Sequence, residues 1–346
     1  MITLTDISIL IVSAAKSIPR LESVYKHTRD QYPDNEIVIV YDDISEKVLN
    51  VEDPNLVQVT TDKRVYVSVG YNLAIKHSTK SCFVFLHDDT YTAPNFLENL
   101  IPHIKKDTFV NFVQIEPPKF HTTSTLQKPI KDLGSNESEF DKNELDKFYH
   151  EHIPNLPHNV EPAPFGGFFM SGYKDSFLSV GGFDEEFQPY FFEDSDLMVR
   201  LHIEGYRFAL VLDSLVYHMG SLTSRGTEES VIAHTTTQNI FLRKWKTTFD
   251  VIKEYTMLNG FEYKKPSLDI TLHNPNKSVQ HLIDLFNSPA GAVEVQVDGD
   301  NFSQQDVDYM LLFPYIIKDL EPGEVYEIGN LKVNIKQKNK DGIKII

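Results

Sequence analysis

The chain has 346 residues, is 41% apolar, and carries 33 basic against 50 acidic residues for a net charge of -17. That length suggests roughly two domains with a sizeable core, and the acidic balance disfavours nucleic acid and anionic membranes as main partners. The lone cysteine, Cys82, excludes a disulfide framework, and the opening MITLTDISILIVSAAK puts no basic stretch before its short apolar run, so a soluble, cytoplasmic protein without a transmembrane segment is expected.

In chain order, ISILIV (7–12) is a continuous β-branched run, as in a strand buried on both faces. Residues 17–31 follow as a helix with Leu21, Val24 and Tyr25 at helical spacing. EIVIVYDD (36–43) reads as a second buried strand and LVQVTT (56–61) as a shorter third. VSVGYNLAIKHS (67–78) reads as a helix and CFVFLHDD as a fourth strand. Pro94 suits the first turn of a helix with Phe96, Leu97, Leu100 and Ile101 on one face. Strands alternating with helices predict an α/β fold: a mostly parallel, Rossmann-like sheet with helices on both faces. Ligands then sit beyond the carboxyl ends of the strands. Ser13-Ala14-Ala15, Asp42-Asp43 and His87-Asp88-Asp89 occupy those ends.

Residues 116–162 are polar and proline-rich and read as an insertion or lid. Regular structure returns at PFGGFFMSG, VGGFDEEF, YFFEDSDLMVRLHIEGY and RFALVLDSLVYHMGS, and 231–249 is expected to be helical. These place a first domain over 1–262. Beyond it, EVQVDGD, YMLLFPYII, EVYEI and LKVNIKQK read as short strands of a small β-rich C-terminal module, 263–346, with no evident chemistry. Asp298-Gly299-Asp300 fits a hairpin turn better than a calcium loop, which needs an oxygen ligand where Phe302 stands. His150, His152 and His158 lack the cysteines or regular spacing of a zinc site and fit a solvated insert.

Acids at strand ends commonly serve as turn formers. Here two pairs, Asp42-Asp43 and Asp88-Asp89, are expected on one sheet edge. Clustered carboxylates repel, and a divalent cation bound with a diphosphate would offset them. Glu193, Asp194 and Asp196 open a helix, where acids favour the macrodipole. The preceding Tyr190, Phe191 and Phe192 would also desolvate them, as a general base requires. A single histidine such as His218 is more often structural, although imidazole suits Mn²⁺ beside oxygen ligands.

Together these segments resemble the GT-A glycosyltransferases, specifically the inverting family 2-like group. ILIVSA…VIVYDDIS resembles that family's opening. VGYNLAIKHSTKSCFVFLHDDT resembles its helix leading to the DxD strand. FGGFFMSGYKDSFLSVGGFDEEFQPYFFEDSDLMVRLHIEGYRFALVLDSLVYHMGS resembles its GGFDE…ED…H segment. The resemblance covers about residues 5–248 and leaves the tail outside.

It implies a metal-dependent inverting transferase that moves a sugar from a nucleotide-sugar to a hydroxyl acceptor such as a glycan. A UDP-sugar is the expected donor and Mn²⁺ or Mg²⁺ the expected cofactor. Asp194 would be the catalytic base, with Glu193 beside it. Asp42, Asp43, Asn72, Asp88 and Gly167 would bind the donor, with Lys63 or Arg64 facing the nucleotide. Asp89 and His218 would hold the metal, and Gly166, Gly167 and Phe168 would line the donor-sugar and acceptor region. His87 departs from the pattern, standing where the family has the first DxD aspartate. The acceptor would be read by 116–162, and the tail is open to dimerisation, acceptor binding or docking.

Two other readings compete. A nucleotidyltransferase would carry a glycine-rich basic loop after the first strand, and SAAKSIPR has no glycine. A catalytically degenerate carbohydrate-binding or structural protein on the same scaffold gains support from His87.

Overall fold

In a computed structural model of the chain, residues 2–14, 18–42, 48–118, 123–163, 165–220, 227–245, 248–250 and 252–253 are described, together with the strands at 293–297, 325–328 and 331–335. The chain divides into two compact units, Met1–Gln238 and Asn239–Ile346. The expected boundary at 262/263 lies outside the described residues.

The first unit is built on one sheet. In chain order it contains β1 (Ile7–Ser13), α1 (Ile18–Gln31), β2 (Glu36–Tyr41), β3 (Leu56–Thr60), α2 (Tyr66–His77), β4 (Cys82–His87), β5 (Thr90–Thr92), α3 (Phe96–Leu100) and β6 (Thr108–Ile115). Then follow α4 (Lys142–His152), β7 (Val160–Ala163), β8 (Met170–Tyr173), α5 (Lys174–Ser179), α6 (Glu193–Ile203), β9 (Arg207–His218) and α7 (Glu228–Trp245), whose last turns belong to the second unit. The strand order is β3-β2-β1-β4-β8-β6-β9-β5, with β7 also on β9.

The half formed by β3, β2, β1 and β4 is parallel, as the apolar runs predict. The other half is mixed rather than mostly parallel. β6 and β9 pair in parallel, but β8, β5 and β7 pair antiparallel with their neighbours. β5 leaves the turn at the carboxyl end of β4, and β8 leaves the 166–169 turn near the same end. Both therefore start where their neighbours finish and must run back.

Side-chain alternation divides the core into two layers. Ile7, Ile9 and Ile11 pack with Leu21 and Val24 of α1, Leu97 and Leu100 of α3, and Leu145 of α4. On the opposite face Phe83 and Phe85 meet Tyr71 of α2, Phe177 of α5 and Phe183. At Gly70 of α2 an added Cβ would lie 2.7 Å from Val12 Cγ1, so that helix rides directly on β1. The expected lid contributes to the core, since Leu133, Leu145 and Tyr149 are buried in it and β7 extends the sheet. Pro94 lies ahead of the left-handed Asn95 cap, outside the first turn of α3.

In the second unit, β10 (Val293–Val297), β12 (Leu331–Ile335) and β11 (Val325–Ile328) form an antiparallel sheet in that order. The YMLLFPYII and Asp298-Gly299-Asp300 readings lie outside the described residues. Among the described residues, no helix is long and apolar enough to cross a membrane.

Candidate active site

The parallel half of the sheet delivers the sequence-predicted acids to one edge. The register pairs Ser13 with Tyr41 and Val12 with His87, so β1, β2 and β4 end together. A cavity of about 220 Å³ opens there, and Asp42, His87, Asp88, Phe168, Glu193 and Asp194 all line it.

Asp42 caps the entry to α2. Its Oδ1 accepts the backbone N–H groups of Val65 (2.5 Å) and Tyr66 (2.7 Å), and its Oδ2 lies 3.6 Å from Arg64 Nε. Burial pushes its carboxyl above the usual range against these contacts. Arg64, which also lines the cavity, stacks over the Tyr66 ring at 4.7 Å. Lys63 is not among the lining residues. Asp43 lies outside the described residues.

The two acids after β4 have different surroundings. Asp88 Oδ2 accepts from Ser13 Oγ (2.6 Å) and from Arg20 Nη2 (3.3 Å), while Arg20 Nε donates to the Asp88 carbonyl. Arg20 is 6% exposed, so this pair braces the end of β4 from α1. Burial and the neighbouring Asp89 raise the Asp88 carboxyl, with Arg20 and Ser13 opposing.

Asp89 points the other way, its Oδ1 3.4 Å from His218 Nε2. The pairing of β5 with β9 places Thr90 opposite His218 and so delivers the histidine. His87 completes a cluster in which one ligand atom from each of His87, Asp89 and His218 lies within 4.8 Å of the others. Burial alone would raise Asp89, but His218, His87 and Arg20 hold it well below the carboxylate range. Burial would likewise lower His218, yet Asp89 and Glu116 raise it to about 9. Two imidazoles and a carboxylate converging in a buried site form a donor set that suits Mn²⁺ and related divalent ions.

The third group opens α6. Phe191 and Phe192 both hold left-handed backbone, at φ 78° and 62°, and turn the chain so that Glu193 and Asp194 enter the cavity wall. Burial, then the adjacent Asp194, lifts Glu193 to about 8. Burial also raises Asp194, against hydrogen bonds from Ser195 N (2.7 Å) and Oγ (3.3 Å) to its Oδ1. A buried carboxylate with a raised pKa can take a proton from a hydroxyl.

The glycine turn is fixed from beneath. Asn111 Nδ2 of β6 donates to the carbonyls of Gly167 (3.0 Å) and Phe169 (2.8 Å). A Cβ at Gly166 would lie 1.9 Å from Asn111 Oδ1, whereas one at Gly167 would meet open space. The turn sets Phe168 and Phe169 against the His87 ring, at 4.5 and 4.8 Å between centroids.

Asn72, expected to bind the donor, does not line the cavity. Its Nδ2 donates to the Phe183 carbonyl and Glu185 Oε1, and its Oδ1 accepts from Phe183 N, so it clasps the GGFDE turn to α2. Gly167 is also outside the lining set, and Phe168 supplies that wall. Sequence reasoning missed Arg20, Asn111 and Glu116, whose partners are 68, 58 and 102 residues away. The one available signal was a polar residue inside an apolar run, as Asn111 is in TFVNFVQI.

No curated protein matches the chain. Among solved structures, one described as GalNAc-T7 with UDP, GalNAc and Mn²⁺ aligns at 12% identity and a TM-score of 0.48, over 80% of this chain and 54% of that one. The chain thus spans about half the length of that relative. The S. aureus TarS 1-349 structure aligns at 12% identity and a TM-score of 0.49, over 98% of each chain. The family model "Glycosyl transferase family 2" matches residues 8–175, from β1 through β8 into α5. The parallel half of the sheet, with helices on both of its faces, accordingly lies within the part of the chain, residues 8–175, that matches the glycosyl transferase family 2 model.

Proposed function

We propose that the chain transfers a sugar from a nucleoside-diphosphate donor to a hydroxyl acceptor, with inversion and with a divalent cation. The observation that carries this reading is the pairing of two unlike devices at one cavity. Glu193 and Asp194 form a wall of acids with raised pKa values. His87, Asp89 and His218 form a cluster able to hold a cation, and His87 also belongs to the cavity wall.

In this reading Asp194 accepts the acceptor hydroxyl proton as that oxygen attacks the anomeric carbon from the face opposite the leaving group. The bond to the diphosphate oxygen breaks and the anomeric configuration inverts. Glu193, protonated below about pH 8, spares Asp194 a second negative charge. Asp42 lines the cavity, and its carboxylate suits a base N–H such as that of uracil, which favours a UDP-sugar. Asp88 is braced by Arg20 and borders the ribose or phosphate region. His87, Asp89 and His218 would hold the cation, which would supply charge neutralisation for the departing diphosphate.

A histidine at the first motif position counted in favour of a degenerate binding protein. In the cluster that histidine has a use, which weakens the argument. The test is a thermal-shift screen of nucleotide-sugars with Mn²⁺ and with EDTA, since a bound ligand stabilises by mass action. The expected result is a metal-dependent rise with one donor class, followed by nucleotide release when a hydroxyl acceptor is added. Sugar binding that ignores both metal and nucleotide, without turnover, would turn the reading to the binding protein.

A further inference from the structure

The cluster of His87, Asp89 and His218 has a neighbour that the mechanism above does not use. Glu116 follows β6 directly and is 2% exposed. Ile115 pairs with Tyr217 in the β6–β9 ladder, so Glu116 stands beside His218. Its Oε1 is 3.3 Å from His218 Nδ1. Its backbone is pinned on both sides, by Glu116 N to the Pro129 carbonyl and by Lys131 N to the Glu116 carbonyl, each at 3.0 Å. Lys128, on the same returning segment, brings its Nζ to 3.7 Å from Glu116 Oε1.

A carboxylate this deeply buried is costly without charged partners, and here the partners are a histidine of the cation cluster and a lysine. A carboxylate accepts hydrogen bonds and donates none when ionised, so His218 Nδ1 must carry the proton in this contact. The other ring nitrogen, Nε2, faces Asp89, and once an ion displaces the Nε2 proton its lone pair is directed at that ion. Fixing the tautomer and the ring angle of a metal-binding histidine through its second nitrogen is what such a carboxylate does.

We propose that Glu116 is a positioning residue for the cation site: it holds His218 with Nδ1 protonated and Nε2 directed at the ion, and Lys128 balances its charge. Lys128 and Lys131 therefore help to hold Glu116 at the cation site. This inference rests on the cation reading of the cluster given above.

The test is a Mn²⁺ titration of the full chain, read by the electron paramagnetic resonance of free Mn²⁺, with far-UV dichroism as a check on folding. Glu116→Gln and Glu116→Ala are expected to weaken Mn²⁺ binding about 10–100-fold, the effect of removing such an outer partner. Glu116→Asp should recover part of that loss. His218→Ala is the control that should weaken binding further. If the wild-type chain takes up no Mn²⁺, the cation reading fails and this inference with it. If His218→Ala loses affinity while folded Glu116→Gln and Glu116→Ala keep it, the cation reading stands and the role of Glu116 is overturned. A second measurement needs no Glu116 variant. In ¹⁵N-histidine NMR of the wild-type chain with Zn²⁺, His218, assigned from the His218→Asn spectrum, should show a protonated Nδ1 and a metal-shifted Nε2. Metal on Nδ1 would overturn the proposal.

Discussion

Gly166→Ala tests whether the glycine turn is seated on Asn111. The new Cβ would stand 1.9 Å from Asn111 Oδ1 and 2.5 Å from both Cγ and Nδ2. Asn111 is 1% exposed, between Val110 and Phe112 of β6, both fully buried, so its amide has little room to withdraw. If it swings aside, the Gly167 and Phe169 carbonyls lose their donor. At about 1 kcal/mol for each lost hydrogen bond, plus the penalty of a carbonyl stranded away from water, the cost is about 3 kcal/mol. Asn111→Ala removes the same donor and should cost a similar amount. The double variant Gly166→Ala with Asn111→Ala has no clash left and no further hydrogen bond to lose. It should therefore sit near about 3 kcal/mol rather than the additive ~6, a strong coupling for neighbouring sites. Urea unfolding of the full chain, followed by far-UV ellipticity, gives the three values from the midpoints if the slopes agree. Additive losses, or a neutral Gly166→Ala, would refute the account of the turn.

Three further outcomes are expected. Asp194→Asn should lower the transfer rate about 10²–10⁴-fold while donor affinity in the thermal-shift assay holds, and a near-normal rate would remove Asp194 from the role of base. Glu193 titrates near 8 in the folded chain against about 4.3 unfolded. Its folded value is raised, so its contribution is complete below about pH 4.3 and is lost as pH rises through 8. Glu193→Gln should therefore flatten the decline of Tm between pH 5 and 9, and parallel curves for the two proteins would sink the claim. Gly70→Ala should lower Tm, because its Cβ would press on Val12 Cγ1 at 2.7 Å where α2 rides on β1. An unchanged Tm would show that the strand gives way easily.

The parallel half of the sheet was legible because its strands are covered on both faces, which turns ISILIV, EIVIVY and CFVFLH into unbroken apolar runs. The antiparallel members were not. β8 has only four residues, one of them Gly172, and β5 lies hidden in the three residues after His87-Asp88-Asp89. No hydrophobic period can register in so few positions. The acids at the strand ends were legible for the same reason as the strands, since knowing where a buried strand stops tells where its next side chain emerges. The partners of each acid were not. Asp88 turns toward Ser13 and Arg20 and Asp89 toward His218, and a sequence carries no sign of which way each side chain turns. Asn72, read from its motif position as a donor contact, also holds the Phe183 backbone, a contact 111 residues away that no local pattern shows. The polar, proline-rich insert looked peripheral by composition. Its buried apolar residues Leu133, Leu145 and Tyr149 are too widely spaced to stand out, yet they join the core.

Phe191 and Phe192 have a practical consequence. Two successive bulky residues in left-handed backbone cost about 1–3 kcal/mol each, and such a conformation persists only where its surroundings dictate it. Part of what dictates it comes from α7. His234 packs on both phenylalanine rings, at 5.3 and 5.1 Å between centroids, and Thr237 Oγ1 donates to the Tyr190 carbonyl at 3.3 Å. Thr237 is the penultimate residue of the first compact unit. A shortened chain that stopped at the end of β9 would keep every acid of the site and lose the splint that sets two of them. A fragment that keeps the setting of Glu193 and Asp194 therefore extends past Thr237.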